Sequence, residues 1–285
     1  MSPATYPLLT LGGLDWPHEQ TVTSSGVRIR LRSTSPEGIA ALLARLPGQW
    51  RHSTATRVGR TYTLASAGGA DGRSGEYVLY EDAEERDRSS DLDWVLASFA
   101  GSAGFYIGER SVLRTFVHAG AVGWRGHAIV LPGREGTGKT TLTAALVRAG
   151  ATYLSDDYVP IDDRGHAHPF PRPLAFKRRP QDPVEYLPVE ALGGVQETRT
   201  LPAGLVVLAP YRGLERWRPR RLPPGRAVLE LLANCLSAQS RPRQALERLG
   251  GLVTAAPVLK GGRGDADETA ALILARLESA LARRP

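Results

Sequence analysis

Residues 133–140, Gly133-Arg134-Glu135-Gly136-Thr137-Gly138-Lys139-Thr140, match the pattern G-x-x-x-x-G-K-[ST] in full. The glycines let consecutive backbone N–H groups turn inward around phosphate oxygens, and a following helix adds the partial positive charge of its N-terminus. The flanks suit that arrangement. Gly126-His127-Ala128-Ile129-Val130-Leu131 reads as a strand leading into the loop. Thr140 to Arg148 reads as a helix with Leu142, Leu146 and Val147 on one side and Gly150 as its C-cap. A strand–loop–helix unit among alternating strands and helices argues for an α/β core. Lys139 is expected to reach the β- and γ-phosphates and to serve catalysis, and Thr140 to offer its hydroxyl to Mg²⁺. Gly133, Arg134, Glu135, Gly136, Thr137, Gly138, Lys139, Thr140 and Thr141 are thus the expected nucleotide-binding residues, with ATP and Mg²⁺ as ligands.

The helix is followed by another apolar strand, Ala151 to Ser155, which ends in Asp156-Asp157. In an α/β sheet the carboxyl ends of the strands face the ligand crevice. Adjacent side chains on a strand point to opposite sides, so divided roles are expected for the two carboxylates. One would join the Mg²⁺ shell and the other would take a proton from an attacking hydroxyl. A strand over Val112–His118 brings a third candidate, His118, to a strand end beside the glycine loop. Leu205–Leu208 reads as a further short buried strand and Ala266–Ala282 as a terminal helix.

The texture before residue 110 is different, which divides the chain into 1–110 and 111–285. Val27-Arg28-Ile29-Arg30-Leu31-Arg32 alternates as a half-buried strand does. Ser35-Pro36-Glu37 opens a helix, with Ser35 as N-cap, a stripe of Ile39, Leu42, Leu43 and Leu46, and Pro47-Gly48 at its end. Residues 60–66 and 76–80 read as strands joined by a loop rich in glycine (Gly68, Gly69, Gly72, Gly75). Polar residues 81–91 lead to a helix carrying Leu92, Val95, Leu96 and Phe99. This is a small α+β module without evident chemistry.

Composition narrows the classes. With 42% hydrophobic and 23% charged residues the chain can bury an ordinary globular core. No apolar run approaches the roughly 20 residues of a membrane span. The opening residues, Met1 to Tyr6, lack a basic segment followed by an apolar one, and a single cysteine, Cys235, fits a reducing compartment. A cytoplasmic location without membrane association is expected. The net charge of +7 raises the question of nucleic acid, since all but Lys139, Lys177 and Lys260 of the 36 basic residues are arginine. The densest stretch, 212–226, holds six arginines but is accompanied only by Tyr211 and Trp217, a thin platform for stacked bases. A solvated basic surface accounts for it better.

Phe116-Val117-His118-Ala119-Gly120, then Ile129-Val130-Leu131-Pro132 with the glycine loop, then Tyr153-Leu154-Ser155-Asp156-Asp157, resemble the catalytic domain of bacterial HPr kinase/phosphorylase in order and spacing. The chain is more similar still to HPr-kinase-like proteins found beside peptide natural-product genes, the lasso peptide kinases among them. The specific motifs cover roughly residues 112–180. The resemblance implies a phosphoenolpyruvate-carboxykinase-like core with a mixed sheet, His118 near an acceptor hydroxyl, Asp156 as catalytic base and Asp157 nearer the metal. It implies an ATP-dependent kinase acting on a hydroxyl, such as serine, of a peptide, protein or small molecule. It also implies a homo-oligomer as one possible assembly. Where the family carries a Glu-containing LEIRG-like segment, this chain has Pro169-Phe170-Pro171-Arg172-Pro173-Leu174-Ala175-Phe176-Lys177-Arg178-Arg179. HPr itself and a phosphorolytic back-reaction are therefore not implied. That basic, proline-framed loop is a candidate clamp on phosphates or an acidic acceptor, Lys177 foremost, and Lys260 in the glycine-rich stretch 259–264 is a candidate cover for nucleotide. An ATP-binding regulatory NTPase and a nucleic-acid-associated NTPase are the alternative readings.

Overall fold

The structure, a computed structural model, describes residues 16–67, 75–177, 182 and 184–283. The N-terminal residues 1–6, the loop glycines Gly68, Gly69 and Gly72, and Arg178 and Arg179 lie outside the described residues. The chain forms two compact units. One takes the chain up to Leu46 together with Trp50–Ala103, and the other Pro47–Gln49 together with Gly104 onward.

In the first unit β1 (His18–Ser24), β2 (Val27–Ser33), β3 (Trp50–His52), β4 (Arg60–Ala67), β5 (Glu76–Glu81) and β6 (Glu84–Ser89) form one sheet in the order β3-β1-β2-β4-β5-β6. Only β2 and β4 run parallel, so the chain must cross over between them, and helix α1 (Pro36–Arg45) lies in that crossover. On β2 the alternation resolves as expected: Val27, Ile29 and Leu31 are buried, and the arginines between them point outward. Ser35 caps α1 by accepting a hydrogen bond from the Gly38 N–H, and Pro36 occupies the first turn. The polar stretch 81–91 is more ordered than a connection, because Glu84–Ser89 is a strand. An edge strand needs a partner on one side only, so charged residues can fill it; Arg88 reaches Glu76 and Glu85. Helix α2 (Leu92–Arg110) follows and contains the Ala103/Gly104 division. Among the described residues no helix is long and apolar enough to cross a membrane.

The second unit is built on an eight-stranded mixed sheet and belongs to the α/β class. Its strands are β7 (Thr115–Trp124), β8 (His127–Pro132), β9 (Thr152–Ser155), β10 (Tyr158–Ile161), β11 (His166–Ala167), β14 (Leu201–Leu208), β15 (Arg220–Arg221) and β16 (Val258–Lys260). A separate two-stranded pair, β12 (Leu174–Phe176) and β13 (Glu185–Leu187), stands outside it. Strands β8, β14 and β16 are mutually parallel, so their carboxyl ends share one edge. Alternate residues of β8 go to opposite cores. Ile129 and Leu131 pack with α3 (Lys139–Arg148) and α6 (Ala266–Leu281), whereas Ala128 and Val130 pack with α4 (Pro224–Leu232) and α5 (Pro242–Ala255). Burial on both faces explains why this strand is apolar from Ala128 to Pro132.

Three expectations shift. The strand placed over Val112–His118 begins at Thr115; Val112 and Leu113 are 53% and 58% exposed in the turn after α2, where the Ser111 hydroxyl accepts from the Arg114 N–H. Lys260 is not in a loop but at the end of β16, hydrogen-bonded between β14 and β15. Ala149 rather than Gly150 is the C-cap of α3, and Gly150 follows in the left-handed region at φ +97.

Candidate functional site

The site forms where β8 and β9 release their chains on one edge of the sheet, on either side of the antiparallel strand β7. Strand β8 ends at Pro132 and the glycine loop turns the chain into α3. Gly136 and Gly138 hold φ of +79 and +82, which a residue with a side chain adopts only under strain. Gly138 is the N-cap of α3 and brings no side chain to cap it, so the helix start presents its polar N–H end toward the loop. The loop's rim is braced from within: the Thr137 hydroxyl donates to the Arg134 carbonyl at 2.7 Å, and Lys139 Nζ to the same oxygen at 3.3 Å.

Strand β7 is the hinge of the arrangement. Thr115–His118 pair with β10, and Ala119–Trp124 pair with β8. His118 is therefore mid-strand rather than at a strand end, at the point where β7 exchanges partners. Its carbonyl accepts from Gly133 N at 3.2 Å, at the start of the glycine loop, and the next residue, Ala119, donates its N–H to Asp157 O at 3.1 Å. One strand thus fixes the spacing between the loop and the carboxylate pair.

Lys139, Thr140, Asp156, Asp157, His118 and Arg172 line a single cleft of about 720 Å³. Lys139 Nζ lies 3.2 Å from His118 Nε2, and the Thr140 hydroxyl donates to Asp156 Oδ2 at 2.7 Å. The two aspartates lie not on a strand but in the bend between Ser155, the end of β9, and Tyr158, the start of β10, so strand alternation does not set their directions and both line the cleft. Asp157 pairs with the Arg172 guanidinium, and its second oxygen lies 3.4 Å from His118 Nε2. The two carboxylates differ in environment. Asp156 is only 7% exposed, and burial pushes its pKa up to about 6 against the pull of Thr140 and Lys139. Its Oδ1 is buried without a hydrogen bond of ordinary geometry, although the Thr143 hydroxyl is near enough to favour the charge. Burial also lowers Lys139, against the carboxylates. Burial and then Lys139 lower His118, so Nε2 is an acceptor for the lysine and its contact with Asp157 becomes ionic only on protonation.

The remaining candidates divide. Glu135, Gly136, Gly138 and Thr141 line the same cleft, as does Lys177, whose ammonium pairs with Glu135 at 3.4 Å with both groups solvated. Gly133, Arg134 and Thr137 line a smaller cavity of about 270 Å³ that also touches Lys139. Lys260 lies on that smaller cavity, bonded to Glu230 at 2.6 Å, and does not reach the carboxylates' cleft. Arg172 is the residue that the sequence marked only as part of a loop. Its carbonyl accepts from Tyr153 OH at 2.6 Å, and the neighbouring Phe170 is buried edge-on against Phe116, 5.2 Å between centroids. The prolines on either side, Pro171 and Pro173, were the available signal that its backbone is held.

No family model matches the chain, and no curated protein matches it.

Proposed function

We propose that this protein is an HPr-kinase-like enzyme that transfers the γ-phosphoryl group of ATP to a hydroxyl on a peptide, protein or small molecule. The observation that carries the reading is the 2.7 Å bond between Thr140 and Asp156 in the same cleft as Lys139, His118 and Asp157. That set contains what phosphoryl transfer requires: a phosphate cradle, a cation, a metal-side carboxylate and a second carboxylate available to an acceptor.

The donors suit Mg²⁺. It takes oxygen ligands and commonly only one or two from protein, with phosphates and water supplying the rest. Thr140 and Asp156 offer that share, and the buried, unpartnered Oδ1 of Asp156 is an orphan that a cation would satisfy. Held there, Mg²⁺ would neutralise charge on the phosphate oxygens. Lys139 and the start of α3 would bind the same oxygens from the loop side.

The geometry favours the opposite division of labour from the one the resemblance implies. Asp156 is buried on Thr140 and suits the metal shell; Asp157, with its side chain 32% exposed and held by Arg172, suits the base. In the transfer, Asp157 takes the proton of the acceptor hydroxyl as that oxygen bonds to the γ-phosphorus. The bond from phosphorus to the bridging oxygen breaks, and ADP leaves. The Arg172 guanidinium orients the carboxylate.

The roles separate by mutation. Asp157→Asn should leave Mg-ATP binding near wild type and lower transfer to a serine-containing peptide by roughly 100-fold or more. Asp156→Asn should weaken the Mg²⁺-dependent part of ATP binding. The reverse pattern would return the base to Asp156. Wild-type protein that only releases inorganic phosphate, with every hydroxyl acceptor offered, would favour a regulatory NTPase.

A further inference from the structure

We propose that Tyr211 is the stacking platform for the nucleobase, with Arg263 as its rear support, a subsite that rests on the nucleotide reading above. In open α/β sheets ligands lie outside the carboxyl ends of parallel strands. Here the segments leaving β14 and β16 emerge at that edge, on the side of β8 away from the aspartates. Tyr211 follows β14 and Arg263 follows β16, and they form a parallel bridge with each other.

Both are latched to the glycine loop. The Tyr211 N–H donates to Thr137 O at 3.0 Å, and Arg263 Nη2 donates to Gly138 O at 2.7 Å. Arg212 N to Arg263 O at 2.7 Å and Arg263 N to Pro210 O at 3.0 Å tie the two segments together. A side chain at Gly138 would meet Tyr211 Cβ at 3.4 Å, so the tyrosine borders the start of α3, where the phosphates would sit. Backbone anchoring on both sides makes its position rigid.

The side chains contrast. Arg263 is 2% exposed, with its Nε buried and without a hydrogen bond, whereas Tyr211 is 58% exposed. The guanidinium carbon lies 5.7 Å from the tyrosine ring centroid. The ring is thus supported by a buried cation and remains open to solvent beside the glycine loop. A base stacks on such a ring whatever its hydrogen-bonding edge, and the contact is sequence-tolerant. Trp217, the other aromatic of the arginine-rich stretch, is buried at 6% exposure and cannot serve.

Calorimetry with Mg-ATP and with Mg-tripolyphosphate, which has the phosphates and no base, tests the assignment on wild type, Tyr211→Ala and Tyr211→Phe. Tyr211→Ala should lose about 5- to 100-fold in ATP affinity. Its tripolyphosphate affinity should be unchanged, and Tyr211→Phe should match wild type for both. An unchanged ATP affinity in Tyr211→Ala overturns the platform. Equal loss of ATP and tripolyphosphate overturns it too, since the residue would then act through the loop. If wild type binds tripolyphosphate but Tyr211→Ala keeps full ATP affinity, the platform alone is wrong. If wild type binds neither, the nucleotide reading falls and takes the platform with it.

Discussion

His118 sits between a cation and an anion, and the balance sets its charge. Desolvation and Lys139 both disfavour the imidazolium, and Asp157 only partly offsets them, so the group titrates below its ordinary 6.5. The lowered value favours the uncharged ring, whose Nε2 lies 3.2 Å from Lys139 Nζ. Because the folded value is depressed, this group's contribution to stability is complete above 6.5 and is lost as pH falls through the folded pKa. Lys139→Met removes one of the two lowering causes, and the His118 pKa should rise; ¹⁵N chemical shifts followed against pH would show it. A His118 pKa that stays fixed in that variant would mean that the lysine does not face the ring. Residue by residue, the sequence made the loop and the carboxylate pair legible because their spacing is local. The alternation expected for the pair does not apply, because β9 ends at Ser155 and both aspartates fall in the bend that follows. Which carboxylate faces Thr140 depends on how β9 registers against β7, and that information is not local. Arg172 was obscured for the same reason, since it meets Asp157 across 15 positions.

At the scale of elements, β7 and α3 meet at Gly120. A Cβ there would lie 2.3 Å from Thr143 Oγ1, and Thr143 is fully buried on α3. The same Cβ would stand 3.6 Å from Asp156 Oδ1. Gly120→Ala should therefore push α3 away from β7 and loosen the Thr140–Asp156 bond, at a cost of about 1–3 kcal/mol for overpacking. Thermal unfolding should show a lowered Tm, and the double variant Gly120→Ala, Thr143→Ala should recover much of it. A single variant as stable as wild type would show that the contact is not tight. Elements with strong periodicity or caps were legible: β2 by alternation, α1 by Ser35 and Pro36, β8 by its continuous apolar run. Two were not. Strand β6 is mostly charged and is ordered by pairing with β5, and the apolar Val112 and Leu113 imitate a strand start while lying in an exposed turn. In both cases tertiary context overrode local pattern.

Over the whole molecule, the parallel strands β8, β14 and β16 bring residues from 133 to 263 to one edge of one sheet, so a site scattered along the sequence becomes continuous. The class of this unit was legible from its alternating elements; a mixed sheet was expected only from the resemblance, and the antiparallel placement of β7 beside β8 was not legible, because a mixed sheet and a parallel one have similar element orders. The abundant arginine belongs largely to the surface. Arg30 and Arg32 pair with Glu19, Arg216 pairs with Glu268, and such exposed pairs contribute little each. The central claim concerns Lys139, the lysine of the glycine loop in a chain that uses arginine nearly everywhere else. Titration calorimetry of Mg-ATP onto wild type and Lys139→Ala tests it most directly. Wild type should bind, and the variant should lose at least about 10-fold in affinity, as expected when a charge-assisted contact to phosphate is removed. Equal affinity in the two proteins would contradict the account.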